Sequence, residues 1–303
     1  MYPHPATFHL KPFTYYLKLI AVTLAAVVTG TLLLAGLLMA LILTVPLKSA
    51  VCCESPARFG ADYTPVSFHT ADGLTLRGWY VPPRNGAVII LVHSYYGDRR
   101  QTLPVAEMLF KHGYGLLMYD QRASGESDGT TRSLGWLDSP DLAQVVNLVV
   151  TRQNNLKIGV YGCSMGGAIS LAGSVTVPEI DAIVSDAPSP RSWDEYRPVF
   201  SLADPVSLPV TALYYQFVRL RSGAASASST AQAVRELGSR PLLFISTGQT
   251  GEFARVERLF QAAAGPKTHW NLPNSSHCAG PGTDPAEYEA HLVEFFKTYL
   301  LTK

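Results

Sequence analysis

Lys157-Ile158-Gly159-Val160-Tyr161-Gly162-Cys163-Ser164-Met165-Gly166-Gly167-Ala168 is the stretch on which the fold turns. Residues 157–161 read as a short buried strand. G-x-S-x-G follows, and a helix is predicted to open near Met165. A tight strand-to-helix turn forces its serine into a strained, exposed conformation, and glycines on both sides relieve the crowding. The helix N-terminus then aims backbone N–H groups at a developing oxyanion. Ser164 is therefore the candidate nucleophile. The plainer alternative is a glycine-rich turn with a capping serine, since both residues are common.

Working outward, strand-like and helix-like segments alternate over 61–303. Thr75–Val81, Ala87–Val92, Gly115–Tyr119 and Lys267–Leu272 read as strands, as do 181–185 and 241–246. Residues 88–92 and 241–245 are nearly continuous apolar runs, expected for strands buried on both faces. A helix is predicted over 142–151, with Ser139 as its cap and Pro140 in its first turn. Phe253, Val256, Leu259, Phe260 and Ala263 recur at helical spacing, and so do Tyr288, Leu292, Phe295, Phe296 and Tyr299. The alternation predicts an α/β fold with a doubly wound, mostly parallel sheet and ligands beyond the strands' carboxyl ends. Residues 188–233 break the rhythm and read as an insertion over the site, lid-like in composition. Within it, 222–233 has the composition of a disordered surface loop.

A serine hydroxyl needs a base. His277 follows the last predicted strand and precedes the last helix, where this architecture brings a base to the nucleophile. His93 and His269 belong to strands, His112 and His291 to helices, and His4, His9 and His69 lack supporting context. The base needs an acid to fix its tautomer. The loop after the strand 241–246 holds one carboxylate, Glu252, which also suits a helix's first turn. Asp186, after the preceding strand, is the alternative, whereas Asp284 before Pro285 reads as a helix cap. Backbone N–H groups of Met165 and Tyr95 are the candidate oxyanion donors. Tyr95 and Tyr96 suit an acyl pocket or ordinary aromatic packing.

At this point a family resemblance emerges. His93-Ser94-Tyr95-Tyr96-Gly97-Asp98-Arg99 resembles the H-G-x-G-G-x-R loop of α/β hydrolases. Residues 120–127, Asp-Gln-Arg-Ala-Ser-Gly-Glu-Ser, resemble their D-x-R-G-x-G-x-S segment, and 72–80 resemble their opening hairpin. With the elbow and His277, the resemblance runs from about residue 61 to the end, and is nearest to bacterial single-span, Bem46-like serine hydrolases. It implies the α/β-hydrolase fold, a Ser-His-acid triad and no cofactor. Three departures stand out: Ser94 for a glycine, Ala123 for a glycine and Ser124 for a bulky residue.

Residues 19–47 carry no charged side chain and are bracketed by Lys18 and Lys48. About 20 apolar residues cross a bilayer, so this run predicts one transmembrane helix, with tilt or fraying at Pro46. It is too long for a leader's apolar core, and the residues after Lys48 make a poor cleavage site. A core helix would show one apolar stripe, whereas this segment is apolar all round. Thr23, Thr29, Thr31 and Thr44 are tolerable there if their hydroxyls bond backbone carbonyls. The predicted organisation is a tail over 1–18, the span over 19–47, a linker over 48–60 and the hydrolase domain over 61–303. Lys11 and Lys18 before the span nearly balance Lys48 and Arg58 after it. The amino terminus tips the lean toward an extracytoplasmic domain. Alternatively, Cys52 and Cys53 are juxtamembrane acylation sites of a cytoplasmic one.

Net charge is +1 and the charged fraction 16%. No clustered Lys/Arg patch points to nucleic acid. With no C-x-x-C pair, zinc is not expected. Cys163 and Cys278 each neighbour a candidate site residue. They read as small buried hydrophobes, or as a bridge if the site lies outside the cytosol. The leading expectation is hydrolysis of an ester or thioester through an acyl-enzyme. The same machinery serves a peptidase, an amidase or an acyltransferase, and the fold also serves non-catalytic binding. The expected partners are the bilayer and a small acyl substrate. Tyr95, Tyr96, Leu213, Tyr214, Tyr215 and Phe217 lean toward a lipid-like one.

Overall fold

The strand leading to Ser164 lies at the centre of an eight-stranded sheet. In the computed structural model, which describes residues 13–196, 207–225 and 227–302, that strand is Lys157–Cys163. Residues 1–12 of the predicted tail and 197–206 and 226 of the predicted insertion lie outside the described residues. We number the strands β1 (Thr64–His69), β2 (Thr75–Val81), β3 (Ala87–Val92), β4 (Gly115–Tyr119), β5 (Lys157–Cys163), β6 (Ile180–Asp186), β7 (Leu242–Thr247) and β8 (Lys267–Leu272). Their order across the sheet is β8-β7-β6-β5-β3-β4-β2-β1. The β1–β2 and β2–β4 pairs are antiparallel; all the others are parallel. Chain order steps outward from β3 to β4 on one side and from β5 through β6 and β7 to β8 on the other, so the centre is the switch point at which such sheets bind ligands.

Every residue of β3, β4 and β7 is buried, because helices cover both faces. Alternation along β3 divides the core. Val88, Ile90 and Val92 join one cluster with Val145, Ile169, Val234 and Val256. Ala87, Ile89 and Leu91 join the other with Leu103, Leu109, Tyr288 and Leu292. Each fully buried aliphatic side chain contributes about 1.5–3 kcal/mol. The helices that supply these residues are α2 (Leu103–Lys111), α3 (Asp138–Arg152), α4 (Met165–Ser174), α6 (Thr230–Glu236), α7 (Glu252–Ala262) and α8 (Pro285–Phe296).

Two local expectations need correcting. Helix α3 begins at Asp138, so Ser139 lies inside its first turn rather than capping it; its hydroxyl donates to Gly135 O at 2.7 Å. The low-complexity stretch 222–233 is not a disordered loop throughout. Ser229 accepts a hydrogen bond from Gln232 N and caps α6, which buries Ala233 and Val234. A seven-residue helix with one good cap and two buried apolar residues escapes a reading based on composition.

The N-terminal helix α1 (Phe13–Leu43) is long and apolar enough to cross a membrane, and its surface is mostly exposed apolar side chains. Thr23, Thr31 and Thr44 donate to the carbonyls of Leu19, Val27 and Ala40 at 2.8, 2.8 and 2.6 Å, so no hydroxyl is left unpaired on those turns. The helix ends four residues before the uncharged run does. Pro46 has no N–H and disfavours the helical region for the residue before it. Leu47 and Lys48 then pair with Ser124 and Gly125, tying the end of α1 to the rim of the sheet. The buried residues of α1 are Gly36 and Ala40. They face the insertion helix α5 (Ser207–Ser222), where a Cβ on Gly36 would lie 2.6 Å from Leu213 Cβ. Ala40 joins Trp136, Tyr214, Tyr215 and Val218 in a third apolar cluster.

Candidate active site

Between β5 and α4 the chain turns sharply at Ser164, whose φ of 57° and ψ of −118° lie far from any helix or strand. A non-glycine residue held there stores about 1–3 kcal/mol, sustained by the packing around it. The two glycines of the motif permit the turn. A Cβ on Gly162 would lie 2.2 Å from Gly166 O, and one on Gly166 would lie 2.1 Å from Val92 O. The turn is further pinned from β6: Ser164 N donates to Asp186 O at 2.8 Å, and Ser189 N donates to Ser164 O at 3.0 Å.

His277 stands in the loop after β8 with Nε2 2.9 Å from Ser164 Oγ. Its Nδ1 lies 2.6 Å from Glu252 Oε2. A carboxylate on Nδ1 fixes the proton there and leaves Nε2 to accept from the serine hydroxyl. Glu252 is the first residue of α7, so the helix-acid and histidine-partner readings are both satisfied. Its second oxygen accepts from Thr247 N at 2.6 Å and Thr247 Oγ1 at 2.7 Å. Burial pushes this carboxyl up, but the bonds from His277 and Thr247 outweigh it and hold the group below its ordinary value.

Asp186, the competing acid, lies elsewhere in the network. It does not bond His277; its Oδ2 accepts from Tyr288 OH at 2.6 Å and Tyr161 OH at 3.2 Å. Complete burial pushes its carboxyl up to about 6 despite the two phenols, and the Glu252 charge acts in the same direction.

Tyr95 and Met165 line one cavity with Ser164 and His277, of about 270 Å³. Met165 opens α4, where the first N–H groups have no intrahelical acceptor. Tyr96, Leu134, Pro190, Tyr214 and Tyr215 form apolar walls, and Leu43 of α1 closes one side. Burial raises the Tyr95 phenol to about 12, against the opposing charge of Arg132, which stacks 3.6 Å from the ring. The larger surface groove, about 740 Å³ beside His112 and Glu289, contains none of the motif residues.

Two other histidines, His93 and His269, have structural partners. His93 is buried; its Nδ1 donates to Ser94 O at 2.7 Å and its Nε2 accepts from Gln121 N at 3.0 Å. Burial keeps it neutral, with a pKa near about 4. His269 bridges Ser246 and Glu257. Of the departures, Ser94 is held through its N–H by Gln101 Oε1 at 2.8 Å. Ala123 keeps the left-handed backbone, φ 56°, that glycine adopts without steric cost.

Leu43, Leu134, Ser189 and Pro190 at the site were not singled out from the sequence. Ser189 Oγ lies 2.8 Å from Ser164 Oγ, Leu43 reaches the cavity from α1, and Pro190 adds to its wall. A lone serine in a loop carries no signal of such a contact. Cys163 and Cys278, whose pairing the sequence leaves open, form a disulfide with Cα atoms 6.0 Å apart. Among the described residues Cys52 and Cys53 are free and exposed.

Comparison with known proteins places this geometry. The family described as "Serine aminopeptidase, S33" matches residues 83–274. YqkD of Bacillus subtilis, an uncharacterised protein, is 28% identical over 235 residues, 75% of this chain and 76% of its own. The polyketide transferase grgF of a Penicillium species is 32% identical over 149 residues, 46% of this chain and 50% of its own. Among solved structures, an esterase of Pyrococcus furiosus superposes with a TM-score of 0.68 at 22% identity, covering 85% of this chain and 98% of its own, a likeness of fold. The family match spans more than half of the chain and coincides with the strands that carry the elbow, so this protein belongs to the serine aminopeptidase S33 family of α/β hydrolases.

Proposed function

We propose that this chain is a membrane-anchored serine hydrolase that cleaves carboxylic esters or thioesters through an acyl-enzyme. The observation that carries the reading is the chain of contacts from Ser164 Oγ to His277 Nε2 at 2.9 Å and from His277 Nδ1 to Glu252 Oε2 at 2.6 Å. Ser164 Oγ attacks the carbonyl carbon while His277 Nε2 takes the hydroxyl proton. Backbone N–H groups of Met165 and Tyr95 hold the oxyanion. His277 then gives the proton to the leaving alkoxide or thiolate, and the acyl group stays on Ser164. Water repeats the sequence and frees the acid. Glu252 keeps the Nδ1 tautomer and stabilises the imidazolium.

The cavity favours an acyl substrate over a peptide with a free amino terminus. An aminopeptidase needs a carboxylate to receive the substrate's ammonium group. Among the described residues none lines this cavity, and Glu252 is engaged behind His277. Acyl transfer to another alcohol is a second reading, favoured by the transferase among the relatives.

The Cys163–Cys278 disulfide supports an extracytoplasmic domain, because such bonds persist in oxidising compartments. A cleaved leader would remove Leu43 and with it one wall of the cavity, which supports retention of α1 as an anchor. A fluorophosphonate probe tests the reading. Wild-type protein is labelled and Ser164→Ala is not; no labelling of folded wild-type protein points to a binding module on the same fold. Protease protection in sealed vesicles tests the orientation.

A further inference from the structure

We infer that the site is open to the bilayer and takes a single-chain acyl ester dissolved in it, with the anchor helix forming part of the acyl channel. This rests on the hydrolase reading and adds where the substrate comes from.

Three observations converge. First, Leu43, the last residue of α1, lines the same cavity as Ser164. One cavity's width therefore separates the nucleophile from the end of a helix long enough to span. Second, Gly36 packs on the insertion helix α5, with a would-be Cβ 2.6 Å from Leu213. Seven residues at 1.5 Å each place that contact about 10 Å back along α1 from Leu43. A span that fills about 30 Å of hydrocarbon with this stretch therefore draws α5 down to the boundary of the hydrocarbon. Third, α5 suits that depth. It has no charge over 207–218 and places Arg219 and Arg221 in its last turn. Snorkelling arginines are side chains expected at a membrane interface. Leu220 of α5 is 77% exposed, an apolar side chain with a natural place among acyl chains.

The cavity selects the class of substrate. Tyr95, Leu134, Met165, Tyr214 and Leu43 make its walls apolar, and the polar groups gather around Ser164. Its volume of about 270 Å³ lies below the ~300–1,000 Å³ of clefts that enclose a whole small molecule. It holds the reacting end of one chain. The rest of the chain lies outside, along the exposed apolar face of α1, where the bilayer is its ordinary solvent.

The experiment uses the full-length protein reconstituted in phosphatidylcholine vesicles. Two probes are compared, p-nitrophenyl palmitate dissolved in those vesicles and p-nitrophenyl acetate in water. Gly36→Leu separates α5 from α1 and lies outside the cavity. We expect it to lower palmitate turnover at least ~10-fold and to leave acetate turnover within about twofold. Leu220→Glu, a surface change on α5, lowers palmitate turnover several-fold and spares acetate. Leu43→Trp moves the preferred chain length downward. Palmitate presented on albumin in solution is turned over more slowly than palmitate in the enzyme's own vesicles. Acetate turnover with no palmitate preference, or an unchanged palmitate-to-acetate ratio in both Gly36→Leu and Leu220→Glu, overturns this inference alone. No turnover of either ester and no fluorophosphonate labelling of Ser164 overturn the hydrolase reading and this inference with it.

Discussion

The carboxyl ends of β6 and β7 lie side by side, both carry a buried acid, and they serve the site in opposite ways. Past the end of β7 a carboxylate holds the histidine: Glu252 grips His277 with one oxygen and Thr247 with the other. The end of β6 holds Ser164 with its backbone. Asp186 offers its carbonyl to Ser164 N, and Ser189 returns an N–H and a hydroxyl, while the Asp186 side chain turns inward to two tyrosines. Both acids are about 1% exposed, so burial alone does not set their charge. Three donors hold Glu252 below its ordinary range, one of them able to become a cation. Two neutral phenols on a single oxygen leave Asp186 raised, with its Oδ1 unpartnered. What surrounds a carboxyl decides its work more than where the chain places it.

The largest effect expected from breaking this contrast is on the β7 side. Glu252→Gln keeps the shape but lets an amide N–H face His277 Nδ1, shifting the ring proton to Nε2. Turnover should fall by about 10⁴-fold, measured as kcat on a short p-nitrophenyl ester, whereas Asp186→Asn should cost less than ~10-fold. Equal losses would make the two acids partners in one network.

The next effect is on stability and has opposite signs at the two positions. The Asp186 carboxyl, held up at about 6, lies above the ~3.9 of an unfolded aspartate. Its ionisation opposes folding: the cost is absent below about pH 4 and complete above about pH 6. Asp186→Asn should therefore gain about 2–3 kcal/mol on wild type between pH 4 and pH 8, read from urea midpoints. The depressed Glu252 carboxyl contributes stability above the unfolded value of ~4.3 that is lost as pH falls through its folded value. Glu252→Gln should accordingly be destabilised at pH 8 and converge on wild type in acid. A gap that ignores pH in both variants would remove the proposed difference in charge state.

The smallest effect sharpens the β6 side. Ser189→Ala removes one neutral hydrogen bond to Ser164 Oγ, about 1 kcal/mol. A roughly fivefold fall in kcat is expected, with fluorophosphonate labelling slowed to match and KM unchanged. A loss carried by KM alone would make Ser189 a substrate contact.

Much of this was legible in the residues because strong local rules governed it. Apolar runs marked the buried strands, with Ala87–Val92 and Gly115–Tyr119 read to the residue. The elbow needed its two glycines for reasons visible in five letters. Glu252 could be ranked over Asp186 because it is the carboxylate in the loop after β7, and the structure brings it to His277. What stayed illegible depends on register and docking. Ser189 meets Ser164 because β6 pairs with β5 so that Asp186 stands opposite Cys163, and no pattern in one sequence states that register. Leu43 belongs to an apolar run that reads as a span. Nothing in the run says that Gly36 and Ala40 will find α5, because a stripe of two small residues does not alter all-round hydrophobicity.

The bond between Cys163 and Cys278 joins the residue before Ser164 to the residue after His277, positions 115 apart in sequence. Closing a loop of that order shrinks the unfolded ensemble by about 4.7 kcal/mol in chain-entropy terms. An oxidised chain that has lost every strand and helix still keeps Ser164 and His277 near neighbours. The encounter of Ser164 with His277 then needs no search, and the reduced polypeptide must find it by diffusion.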